Sequence, residues 1–90
     1  MSHAVVMQVK LPRGDDQAEE RMLKEQVIPH ARTQAGFQKG MWMRSDDETG
    51  MGVVVFDNED NAQAAMAALK PPAGGPVLIS SKVFQIGAEA

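Results

Sequence analysis

The chain has 90 residues, enough for one domain (1–90) near the lower limit at which a single core holds a fold unaided. It has no cysteine, which excludes disulfides, thiolate nucleophiles and sulfur-ligated metals and fits a reducing, cytoplasmic setting. Nine Lys and Arg against twelve Asp and Glu leave a net charge of −3 with the basic residues scattered, a poor match for nucleic acid, and no apolar run approaches the roughly 20 residues of a membrane span or a signal leader.

His3 to Leu11 reads as a first strand, closed by the turn residues Pro12-Arg13-Gly14. Asp15 or Asp16 then caps a helix with Glu19 and Glu20 near its positive end. Leu23, Val27, Ala31 and Ala35 recur every four residues and form the face to be laid on a sheet. Pro29 removes a backbone donor, so the axis should kink near Glu25 and Gln26, unless the helix ends there and restarts. Gly36 stops the helix. Phe37 to Arg44 is a second strand, Ser45 to Gly50 an acidic hairpin connection, and Met51 to Asp57 a third strand. Asn58 caps a second helix, in which Ala62, Ala65, Met66 and Leu69 share one face and which Pro71-Pro72 ends. After a loop at 73–76, Val77 to Ile86 is the last strand.

This order is βαββαβ, an α+β ferredoxin-like arrangement with a four-stranded antiparallel sheet, and right-handed crossovers put both helices on one side of it. The strands nevertheless carry unbroken apolar runs, Val5-Val6-Met7 and Val53-Val54-Val55-Phe56, where a sheet covered on one face should alternate. Val5, Met7, Val9, Val54 and Phe56 are expected to face the helices, and Val6, Met51, Val53 and Val55 the other side. Each large apolar side chain left in water forfeits roughly 1.5 to 3 kcal/mol. A second copy covering the open face, giving a homodimer, is the expected remedy.

The pattern Val27-Ile28-Pro29-His30-Ala31-Arg32, Gly36-Phe37, Thr49-Gly50-Met51-Gly52-Val53-Val54-Val55-Phe56 and Glu59-Asp60 resembles the dimeric α+β barrel superfamily, in particular its small antibiotic-biosynthesis-monooxygenase-like (ABM-like) proteins. The resemblance implies two sheets paired into a barrel. It also implies a pocket between sheet and helices for a small aromatic or polyketide-like molecule, and a cofactor-independent monooxygenase-like activity. The alternative is a non-catalytic dimeric module that binds a small molecule or merely assembles. Haem-degrading members carry an asparagine on the first strand and a histidine on the second helix. Here the first strand offers Gln8, a candidate ligand contact, and Asn58 to Leu69 has no histidine, which disfavours that activity and leaves no cofactor expected.

Four residues are candidates for ligand binding: Trp42, Arg44, His30 and Gln8. Trp42 and Arg44 are two apart on a strand and share a face, so the indole could stack on an aromatic ligand and the guanidinium hold an anionic group. The plainer role for Trp42 is filling the core or the dimer interface. His30 follows the helix proline, where it could reach a freed carbonyl or transfer a proton near neutral pH; simple surface exposure is the alternative. His3 reads as a frayed end. The six methionines besides Met1 fit either an adaptable cavity or ordinary core filling. Asp46, Asp47 and Glu48 lack the ligand alternation of a calcium loop, and no metal site is expected. The octapeptide Thr49 to Phe56 aligns with an RNA-recognition signature, but Met51 and Val53 stand at its stacking positions and cannot provide a base platform.

Overall fold

A computed structural model of the chain describes residues 2–11, 16–71 and 75–90. Strands β1 (His3–Lys10), β2 (Phe37–Arg44), β3 (Thr49–Phe56) and β4 (Val77–Gln85) form one antiparallel sheet in the order β2-β3-β1-β4. The helical segments are α1 (Asp16–Met22), a π-helical turn (Leu23–Val27), α2 (Ile28–Arg32) and α3 (Glu59–Ala68). The topology is compatible with a ferredoxin-like fold. The predicted turn at 12–14, the cap at Asp15 and the loop residues 72–74 lie outside the described residues.

Pro29 neither breaks nor restarts the first helix. Met22, Val27 and Ile28 all keep right-handed helical dihedrals, and the Ile28 N–H bonds to the Leu23 carbonyl five residues back. A wider turn moves the preceding carbonyls away from the proline ring, which would collide with them in a regular α-helix. It also suits the apolar spacing, because a strict four-residue repeat overshoots an α-helical turn by about 40° per step. Ala31 is fully buried, and Leu23 and Val27 are half-buried. Ala35 does not join this stripe: the helix ends at Arg32, and Ala35 is exposed.

α3 is held at its start by Asn58, whose Oδ1 accepts a 2.8 Å bond from the Asn61 N–H, with Glu59 and Asp60 in the first turn. It ends at Ala68. Leu69 is extended, and Lys70, the residue before Pro71, is steered away from the helical region by the proline ring. Ala62 and Ala65 are fully buried, so α3 lies close on the sheet. Between the first helix and β2, Gly36 adopts φ +77°, and a side chain there would strike the Asp57 carboxylate and the Asn61 amide. Those two groups bond each other at 2.7 Å, and the Asp57 N–H bonds the Gly36 carbonyl at 3.0 Å.

The two faces of the sheet separate as the apolar runs predict. Val5, Met7, Val54 and Phe56 form one cluster with Ala31, Ala62, Ala65 and Leu69 of the helices. Val6, Met51, Val53 and Val55 alternate with them and point the other way, in register with Met41, Met43 and Phe84. Met41, Met43 and Phe84 are each about half exposed, at 52%, 47% and 47%.

One end of this open face is covered by the chain itself. After β4 the Ile86 N–H bonds the Ser2 carbonyl at 3.0 Å, and Glu89 reaches Lys39 on the opposite edge strand at 3.1 Å. That crossing accounts for the burial of Ala4 and Val55, which face away from the helices yet are only 5% and 3% exposed. His3 is not frayed. It opens β1, and its Nε2 lies 3.8 Å from the Glu59 carboxylate.

Candidate functional site

The candidate site is a cavity of about 280 Å³ between the helix side of the sheet and the α1, π-turn and α2 segment. Its volume sits near the lower end of the roughly 300 to 1,000 Å³ usual for small-molecule pockets. Glycines in the sheet let neighbouring side chains lie across its floor, Val9 and Leu11 over Gly50 and Trp42 over Gly52. β3 carries Gly50 and Gly52 where its helix-side residues fall, between Met51 and Val53 on the other face. Met7 and Val9 of β1 lie beside these glycines, Trp42 of β2 lies opposite Gly52, and Leu23 and Val27 of the π-helical turn form the roof. The lining is predominantly apolar, while Gln26 and His30 are themselves exposed residues at its open side.

Three polar side chains from different elements reach the wall: Glu19 of α1, Gln26 of the π-helical turn and His30 of α2. Lys70 lies at the side nearest α3. His30 places its Nε2 3.4 Å from the Ala68 carbonyl at the end of α3, tying the two helices together beside the cavity. The Glu19 carboxylate takes a 3.0 Å bond from Arg44, and its side chain is only 15% exposed. The strand spacing that puts Trp42 and Arg44 on one face therefore holds, but Arg44 serves the cavity through Glu19 and is not itself part of the lining.

Trp42 lies down on the sheet. A Cβ built on Gly40, two residues earlier on the same strand, would come 2.7 Å from the indole Cη2, and one built on Gly52 would come 3.1 Å from both Cδ1 and Nε1. The ring thus stretches from one glycine to the other. Among the described residues no group accepts a hydrogen bond from its Nε1. On its far side, Trp42 also borders a shallower groove along β2 with Leu23, Ile28, Phe37 and Met41.

Gln8 lies elsewhere. It alternates with Met7 and Val9 on β1 and belongs to the open face, where its Oε1 accepts a 3.4 Å bond from the Ser80 hydroxyl. Met51 and Val53, the positions of the RNA-recognition alignment, are also on that face. The acidic hairpin is organised by its own bonds: Asp47 accepts from the Ser45 hydroxyl and, at 3.1 Å, from the Thr49 N–H. These bonds, the Ser45 hydroxyl's first, hold the Asp47 carboxyl below the usual carboxylate range. Glu48 takes the left-handed turn position at φ 66°. Among the described residues no three His, Asp or Glu side chains gather as metal ligands, and no helix is long and apolar enough to cross a membrane.

Compared with known proteins, the chain matches no family model and no curated protein.

Proposed function

We propose that this protein is a homodimeric α+β barrel that holds a small aromatic or polyketide-like molecule in the helix-side cavity and acts on it as a cofactor-independent monooxygenase. The observation that carries the reading is the cavity wall: among its described residues the polar groups are few, and His30 is the one imidazole. An activated ring CH₂ gives up a proton to such a base. The resulting carbanion is itself the reductant for dioxygen: one oxygen atom becomes the new carbonyl and the other leaves as water, so that R₂CH₂ and O₂ give R₂C=O and H₂O. The apolar lining favours this chemistry because it limits reprotonation of the carbanion by water.

The dimer is supported by the open face. Val6, Met41, Met43, Met51 and Val53 share the open face beyond the C-terminal crossing, with Met41 and Met43 about half exposed, and an apolar surface of this kind favours an interaction site. A second reading, binding without turnover, is favoured by one contact. The His30 ring already faces the Ala68 carbonyl, which gives it a structural task.

Oxygen uptake with anthrone, a three-ring compound with an acidified CH₂, separates the two. The enzyme reading expects anthraquinone and one O₂ consumed per anthrone, lost in His30→Ala. Binding of anthrone by calorimetry with no uptake above the uncatalysed rate would select the non-catalytic reading.

A further inference from the structure

The placement of Trp42 determines what the cavity can admit, and two glycines determine the placement of Trp42. Gly40 and Gly52 sit on the helix side of adjacent strands, and each has its nearest non-neighbour heavy atoms in the indole. A side chain at either position would occupy space now taken by the ring. At Gly40 a methyl group would come within 2.7 to 3.0 Å of the outer edge of the benzo ring, which would have to lift off the sheet. Lifted, the indole moves toward the helical roof and into the chamber. Lying flat, it offers one broad face and an N–H whose hydrogen bond no described residue accepts. Aromatic rings pair best face-offset or edge-to-face, and an indole N–H beside an apolar wall seeks an oxygen acceptor.

We infer that Gly40 and Gly52 are the specificity-determining positions of the cavity: by leaving the sheet bare beneath Trp42 they make a floor that takes flat aromatic rings bearing a rim oxygen. The inference rests on the reading of the cavity as a ligand site. Gly40 borders the outer groove and is not part of the cavity lining, so it acts only as a positioning residue, through the indole.

The test is calorimetric titration of 2-naphthol and of its saturated counterpart decahydro-2-naphthol, which has the same carbon skeleton and hydroxyl but puckered rings. The native protein should prefer the flat probe by about tenfold. Gly40→Ala should weaken 2-naphthol binding by about tenfold. On a Trp42→Phe background, where the atoms that clash are gone, Gly40→Ala should change 2-naphthol binding by no more than about threefold. Gly87→Ala, where a Cβ meets nothing, should change nothing.

Native protein that binds both probes equally, or Gly40→Ala that binds as the native protein does, overturns the inference while leaving the cavity a binding site. Native protein that binds neither probe removes that site, and the inference falls with it. Should Gly40→Ala not fold, Trp42→Phe alone adds no atoms and still decides the matter: the preference for the flat ring should shrink below about threefold, and an undiminished preference overturns the inference.

Discussion

Gly36 is the residue whose replacement should cost most for its size. Its left-handed backbone and the two side chains packed against it leave no room for a Cβ, so Gly36→Ala is expected to lower stability by about 2 kcal/mol or more, read by urea unfolding. Asp47 governs a pH effect of known sign. Its carboxyl titrates lower in the folded hairpin than in the unfolded chain, so its contribution is complete above the ordinary carboxylate range. It is lost as pH falls through the depressed folded value. Asp47→Asn should therefore be less stable than the native protein at neutral pH, and the two unfolding curves should converge in acid. At this scale the sequence was only partly legible. Trp42 and Arg44 share a face because residues two apart on any strand do, but nothing in the order of residues says that Arg44 would turn to Glu19, twenty-five positions earlier on another element. His3 reads as frayed because strand ends usually are; its partner Glu59 is brought to it only by the completed fold.

Among the elements, α3 and the strands could be read closely, because a cap, a period and a terminating proline act locally. Asn58→Ala should cost about 1 kcal/mol, measured as a lowered unfolding midpoint, since it strips the acceptor from the Asn61 N–H. The first helix was legible as to the place of its disturbance and not as to its form. Pro29 forbids a regular turn, but whether the chain breaks, kinks or widens depends on what the helix packs against. Here the buried Ala31 and the half-buried Leu23 and Val27 all lie toward the sheet, and a wider turn keeps them there. With Ala at position 29 the missing donor returns, and amide exchange across 25–29 should slow as the ladder tightens. The cavity floor has a signal in the sequence. Gly50 and Gly52 alternate with Met51 and Val53, which leaves the helix side of β3 without side chains at two successive positions.

For the whole molecule, the apolar runs identified two faces correctly, since side-chain parity on a strand is strict. They said nothing of the C-terminal crossing, in which the Ile86 N–H bonds the Ser2 carbonyl and Glu89 pairs with Lys39, and which has no hydrophobic pattern. That crossing confines the surface left for a partner to the part of the sheet around Val53, Met41 and Met51. A lysine at the centre of this area would put a charge into any contact there. Val53→Lys should convert the proposed dimer to a monomer in sedimentation at micromolar concentration, with the helix-side core of each subunit intact.

Trp42 is the sole indole, and the chain has no tyrosine. The long-wavelength near-ultraviolet dichroism of this protein therefore comes from one ring resting on a glycine floor. If that signal fades on warming while the far-ultraviolet spectrum persists, the usual diagnosis would be a molten globule. In this protein the same observation would describe one side chain leaving its bed.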